Sequence, residues 1–297
     1  MSLLSTPTGR PDRVFSLISL VRAMGGRVKV AEAKEWLAPT YRTAESAPPR
    51  DGERVREVFR VARDLNLLDA DQNDWVSKCD LPATRRVFGI HVHAHLRSLA
   101  PDDPDAVLLR AYAWCVAYAE THGTAAVLNK AAGELAREIA AGLGRNKEES
   151  EDIAFNTTKL SAWKDWMEFL GLGWNDLPGA GGFLIDPSRR IEEEVLTFTL
   201  SDSRLDAKSF LAAVATTLPY LDGGALFEEA CSTVLVRPPK GQLSRVLSQA
   251  IRALQENEIL RCDMVGDAKN GIGLFPDPLS SINAFSHIQQ LTGGSHV

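Results

Sequence analysis

A mainly α-helical chain with short β-hairpins, arranged as tandem winged helix-turn-helix units, is the fold class this sequence predicts, and three stretches predict it. The clearest is 243–276. Val246, Leu247, Ala250, Ile251 and Leu254 recur at steps of three and four, which puts them on one face of a helix. Ile259 and Leu260 close that helix, and Arg261 to Val265 alternates as a half-buried strand. Gly266 to Gly271 is a turn, and Ile272 to Phe275 returns as a second strand. At 54–76 the face is Val55, Val58, Phe59, Ala62 and Leu65, closed by Leu67-Leu68 and followed by a polar turn and Trp75-Val76. At 157–185 it is Leu160, Trp163, Met167 and Leu170, then Leu172, a turn through Gly179-Ala-Gly-Gly182, and Phe183 to Ile185. A helix closed by aliphatic residues and followed by a hairpin is the second half of a winged unit. The chain therefore reads as a degenerate three-fold repeat, with units near 12–80, 105–190 and 203–277.

Taken in order, Asp12 to Met24 is a first helix with Val14, Leu17, Ile18 and Val21 inward and Gly25-Gly26 as its stop. Val30 to Leu37 is a short second helix ended by Pro39, and 40–52 connects it to the helix of the first repeat. These elements make a winged-helix unit over 1–80. The region 81–202 is helical and contains the degenerate second unit. Within it, Leu81 to Ser98 holds the cluster His91, His93, His95, and Asp105 to Thr121 is an apolar, aromatic helix buried on most sides. Ala125 to Leu143 reads as one long alanine-rich helix. Asn146-Lys-Glu-Glu149 reads as a cap and acidic first turn, and Pro187 to Thr199 as a charged connector. The region 203–297 holds the third unit: a first helix from Leu205 to Leu221, a second from Ala225 to Val236, the third repeat, and a closing helix from Pro278 to Leu291 with Ile282, Phe285 and Ile288 inward.

The 297 residues, 44% hydrophobic and 24% charged, are those of a globular protein able to bury real cores. The formal net charge of −6 excludes a whole-chain basic field, so any contact with nucleic acid must come from a local patch. Cys79, Cys115, Cys231 and Cys262 are scattered without a C-x-x-C pair, which argues against a zinc ribbon and a secreted disulfide framework. The N-terminus lacks the marks of a signal peptide and no run reaches membrane-spanning length, so the expected location is cytoplasmic.

The third helix of a winged unit is its usual groove reader. In unit one its solvent stripe is Arg56, Arg60 and Arg63; in unit three the matching positions are Ser248, Arg252 and Gln255, with Arg245 and Gln249 beside them. Arg, Gln and Ser serve phosphates and base edges, which makes Arg56, Arg60, Arg63, Arg245, Gln249 and Arg252 the candidate DNA-binding residues. Unit two carries Ser161, Asp165 and Glu168 there, and carboxylates repel phosphate. The competing reading pairs Arg60 and its neighbours with Glu53, Glu57 and Asp64 on an ordinary solvated helix. The three histidines have no carboxylate at metal-ligand spacing, so a polar surface is their default. Gly179 to Gly182 is not followed by Lys-Ser/Thr and reads as a wing tip rather than a phosphate loop. Trp163, Trp166 and Trp174 read as core or interface residues, and Cys115 as core. No catalytic residue, metal or cofactor is expected.

The opening Leu3-Leu-Ser-Thr-Pro-Thr-Gly-Arg-Pro11 running into an apolar helix, with the length and layout above, resembles the DpdG proteins. Those belong to bacterial gene clusters that insert 7-deazaguanine derivatives into DNA and restrict unmodified DNA. The resemblance implies a non-catalytic role in such a defence system, beside larger ATPase, helicase or nuclease partners. Two roles stay open on the residues: a DNA-contacting adaptor gripping duplex DNA through units one and three, and a protein–protein scaffold of the kleisin-binding, tandem winged-helix kind. An enzyme centred on His91 to His95 is a distant third, and self-association is left open.

Overall fold

Apolar spacing sets the first unit. In the computed structural model, which describes residues 3–5, 8–38, 51–144, 155–175, 181–196, 204–265 and 271–291, α1 (Pro11–Ala23) turns Val14, Leu17, Ile18 and Val21 inward, all fully buried. It stops at Gly25 and Gly26, whose φ of +78° and +89° lie where only glycine is comfortable. Then follow β1 (Arg27–Lys29), α2 (Val30–Leu37), α3 (Asp51–Asp64), β2 (Leu68–Asp71) and β3 (Asp74–Ser77). The hairpin expected after Leu68 is present. Its strand β3 also pairs antiparallel with β1, giving the order β1-β3-β2 with Trp75 opposite both Val28 and Ala70. The Trp75 ring stacks on Phe59 of α3 at 4.5 Å and 8°, which fixes the helix to its sheet.

The middle of the chain is helical. The helix α4 (Arg85–Ser98) is capped by Thr84, whose Oγ1 accepts the Val87 N–H at 3.2 Å. Next, α5 (Val107–His122) buries Leu108, Ala111, Tyr112, Cys115, Val116 and Ala119 around its whole circumference, as a helix apolar on all sides must. The single helix expected over 125–143 is two, α6 (Thr124–Leu128) and α7 (Ala132–Gly142). Gly182 accounts for the break. Its N–H bonds to Leu128 O at 2.9 Å, and a Cβ there would lie 1.9 Å from Val127 O. Lys164 Nζ holds the Gly181 and Gly182 carbonyls at 3.3 Å each. Gly181 and Gly182 are therefore packed against these helices instead of forming a free wing tip; Gly179 lies outside the described residues. The helix α8 (Thr157–Phe169) takes its cap from Asn156, whose Oδ1 accepts the Lys159 N–H at 3.0 Å. The cap expected at 146–149 lies outside the described residues. A minimal hairpin follows, β4 (Gly173–Trp174) with β5 (Leu184–Ile185).

The expected connector after Pro187 is a buried element. Helix α9 (Ser188–Arg190) runs into a π-helical turn, Ile191–Leu196, that buries five of its six residues, Glu193 and Glu194 among them. Arg190 is fully buried and donates from Nε to Leu170 O at 2.5 Å. Its guanidinium meets Glu194 Oε1 at 2.8 Å and Glu193 Oε2 at 3.2 Å. Glu194 Oε1 also lies 2.7 Å from Nδ1 of the fully buried His93, whose Nε2 is 3.0 Å from the Tyr220 hydroxyl. A neutral imidazole protonated at Nδ1 matches the polarity of both neighbours, with the Nδ1 contact close but outside hydrogen-bond geometry. Burial holds His93 below its ordinary value, with the Glu194 carboxylate opposing. Burial acts to raise Glu194, but His93 and Arg190 outweigh it and hold the carboxyl below the ordinary range.

In the third unit β6 (Arg204–Asp206) precedes α10 (Ala207–Thr217), which starts later than Leu205 because Asp206 caps it. Next come α11 (Ala225–Val234) and α12 (Arg245–Glu256), then β7 (Leu260–Asp263), β8 (Ile272–Gly273), β9 (Ala284–Phe285) and β10 (His287–Gln290). The inward face read for α12 is correct: Val246, Leu247, Ala250, Ile251 and Leu254 are all buried. The hairpin read after it is corrected. Ile272 pairs with Phe285, and the partner of β7 is β10, in the order β6-β10-β7. The closing helix over 278–291 is corrected too. Its segment is β9 and β10, and Phe285 and Ile288 fill the core from strands, separated by a bend at Ser286. Buried side chains from all three units join in one continuous hydrophobic cluster.

Two outcomes follow. Leu254 is 1% exposed, so Leu254→Ala should cost about 2–5 kcal/mol in urea unfolding, and a loss under about 0.5 kcal/mol would mean a surface site. His93 and Glu194 are both held below their ordinary values, so the unfolded chain binds more protons on acidification. Their stabilisation is complete above about pH 6.5 for His93 and about pH 4.5 for Glu194, and is lost as pH falls through the lower folded values. His95 shares the sign and stays in a His93→Gln variant, whereas the raised Glu120 and Asp222 oppose it. Between about pH 7.5 and 5, unfolding midpoints should therefore fall more steeply for the wild-type chain than for His93→Gln; equal slopes would dismiss the imidazole.

Candidate nucleic-acid interface

The helix α3 carries two opposed faces. Val55, Val58, Phe59 and Ala62 are buried against α1, α2 and the β2–β3 hairpin, and this turns Arg56, Arg60 and Arg63 to solvent as one exposed stripe. Of the neutralising partners weighed for the stripe, Glu57 is engaged elsewhere and Asp64 pairs with the stripe itself. Glu57 receives the Thr8 hydroxyl, and Arg63 Nε sits 3.8 Å from Asp64 Oδ1, a long and exposed pair. Among the described residues neither Arg56 nor Arg60 has an ion-pair partner; the Glu53 side chain lies outside them. The adjoining hairpin is acidic, with Arg27 held between Asp71 at 2.7 Å and Asp74 at 2.9 Å. Arg13, Arg22 and Lys29 are also exposed in this unit, and the sequence of α3 holds four arginines against four carboxylates, so the stripe is a feature of one helix face rather than of the helix's net charge.

The matching helix of unit three differs. Ser248 and Arg252, read as solvent-side, are buried, because the segment 275–282 lies across them. Arg252 Nη2 donates to the carbonyls of Phe275 at 2.7 Å and Ile282 at 3.1 Å, and Ser248 Oγ accepts the Phe275 N–H at 2.8 Å. Gln255 Oε1 accepts the Cys262 N–H at 3.0 Å. The Arg245 guanidinium lies 3.8 Å from the centroid of the Phe275 ring, and Gln249 is exposed. Four of the five polar positions read for α12 are thus bonded or stacked within the unit. On α8, Asp165 pairs with Arg10 at 3.0 Å, and Ser161 is exposed.

The histidine cluster separates on α4. His91 Nε2 lies 3.1 Å from Leu65 O, His95 is half-buried, and His93 points into the buried network. No group of three metal-ligating side chains forms among the described residues. Trp163 and Trp166 are core residues, whereas Trp174 is 53% exposed and donates to Asp186 at 3.2 Å. Cys115 is fully buried, and burial raises its thiol far above the ordinary value, in keeping with a core residue. No described helix is long and apolar enough to cross a membrane. Compared with known families, residues 1–268 match the model of a family described as DpdG-like. No curated protein and no solved structure matches the chain.

The two kinds of arginine are separable by experiment. Arg252→Ala leaves two carbonyls of a buried segment without their donor and should cost about 1–3 kcal/mol or more. Arg60→Ala removes an exposed side chain and should stay within about 0.5 kcal/mol of the wild-type chain. Urea denaturation checks both, and equal losses would contradict the burial of one and exposure of the other.

Proposed function

The chain belongs to the DpdG-like family, and we propose on that footing that it is a non-catalytic component of a bacterial 7-deazaguanine DNA-modification and restriction system, contacting duplex DNA through α3. The exposed row Arg56, Arg60, Arg63 carries this reading. Three guanidinium groups on one helix face, two without an ion-pair partner among the described residues, match the spacing at which a helix meets phosphates and base edges. The order helix, strand, helix, helix, hairpin, with β1 on the edge of the hairpin, supports a winged helix-turn-helix for this unit and so supports α3 as its groove-facing helix. Larger ATPase, helicase or nuclease subunits would supply the chemistry.

A second reading has its own observation. The net charge is −6, and the third helix of unit three is covered by the chain's own 275–282 segment. These favour a tandem winged-helix scaffold of the kleisin-binding kind that holds protein partners without touching DNA.

A salt titration of duplex affinity separates the two. Arg60→Glu with Arg63→Glu should leave the melting temperature unchanged, because both side chains are exposed. It should weaken duplex binding and reduce the slope of log K against log salt by about 0.9 for each phosphate no longer neutralised. Asp165→Lys with Glu168→Lys should not weaken DNA binding. Unchanged affinity and slope in the arginine variant would remove α3 as a DNA reader and leave the scaffold.

A further inference from the structure

A groove on unit three lies apart from the α3 stripe. It runs between α10, α11 and the 235–243 loop, with a volume of about 990 Å³, at the top of the usual range of about 300–1,000 Å³ for binding pockets. Its floor and walls are mainly apolar, with Leu211, Phe227, Val236, Leu243 and Ile272 along them. Leu235 stands at the rim. It is 91% exposed and sits at φ +60°, ψ +37°, a left-handed conformation that disfavours any side chain with a Cβ. The chain's own packing gains nothing from an aliphatic group held there.

The lining of the groove is acidic by one charge. Asp222 and Glu228 line it and Arg237 is its one cation among the described lining residues. Asp222 is engaged, accepting Ser244 N and Oγ at 2.6 Å each, whereas Glu228 is exposed at the wall. The field is felt inside: burial, then Glu228, Asp222 and Glu120 together, push the Cys231 thiol up to about 12. A concave apolar surface with an acidic wall complements a helix that has an apolar face flanked by lysine or arginine.

We propose that this groove docks an amphipathic helix of a partner protein, its apolar face against Leu211, Leu235 and Val236 and a basic residue against Glu228. The site does not depend on DNA contact by α3, and its occupant is a protein segment of opposite charge to the chain.

Fluorescence anisotropy on the full chain tests it with two labelled probes of about 18 residues, five helical turns: a leucine–lysine amphipathic peptide and its leucine–glutamate counterpart. The lysine peptide should bind at least about tenfold more tightly than the glutamate one. Glu228→Lys and Leu235→Asp should each weaken it by about fivefold or more with unchanged melting temperature. Asp102→Lys, the same charge change on the exposed turn before α5, should leave it within about twofold. Equal loss in the Asp102 variant would reduce the attraction to net charge and overturn the site. Equal binding of both peptides, or of the lysine peptide to all variants, would also overturn it. Sedimentation supplies the remaining outcome: self-association abolished by Leu235→Asp would make the occupant a second copy of the chain and reject the partner helix.

Discussion

The Arg190 guanidinium is the charge around which this structure has to be built. A fully buried cation is tolerable only if it is neutralised and hydrogen-bonded where it sits, and the means are mostly local: Glu193 and Glu194 one turn later, and the Leu170 carbonyl. Glu194 then carries the constraint outward, through His93 of α4 to Tyr220 between α10 and α11. Four polar side chains thus tie the first half of the chain to the last unit. Such a network adds little net stability over an apolar core of the same shape, yet losing any one member leaves a buried charge or donor unmatched, at about 3–5 kcal/mol for an ion pair. It joins α4, the π-helical turn and the segment between α10 and α11 through one set of contacts. The π-helical winding belongs to the same constraint, since the turn that supplies both carboxylates buries five of its six residues.

What was legible in the sequence was local. The inward faces of α1, α3, α8 and α12 follow from helical periodicity, and each of their predicted apolar residues is buried. What was not legible depended on distant partners. Arg189-Arg190 and Glu192-Glu-Glu194 read as a solvated connector because charge ordinarily means exposure; only His93 and Tyr220, far along the chain, make the burial of Arg190 and Glu194 possible. Ile282, Phe285 and Ile288 recur at intervals of three and so mimic a helix, but the bend at Ser286 lets two short strands turn Phe285 and Ile288 inward. The break between α6 and α7 is set by Gly182, some fifty residues downstream. For the candidate interface, the stripe on α3 was readable because its own helix decides it. The fate of Ser248 and Arg252 was not, because the 275–282 segment that covers them lies outside their helix.

The three helices α3, α8 and α12 consequently differ in what their outer faces present. Among the described residues α3 presents Arg56 and Arg60 without an ion-pair partner, α8 has Asp165 tied to Arg10, and α12 is covered over much of its outer face by the 275–282 segment. The overall negative charge disfavours non-specific attraction to nucleic acid over the surface as a whole.

The order β6-β10-β7 has a consequence for how the last unit comes into being. Its central strand, 287–290, is the last element of the described chain, so β6 and β7 have no common partner until about eighty residues after β6 have been synthesised. Until then both present unpaired backbone edges and Ile288 is missing from between Leu205 and Cys262. Folding of this unit is bound to be late and non-local. A chain ended at residue 268, where the family match stops, would keep α12 and β7 but lose the strand that joins the sheet. Such a fragment would be an aggregation hazard rather than a smaller version of the protein.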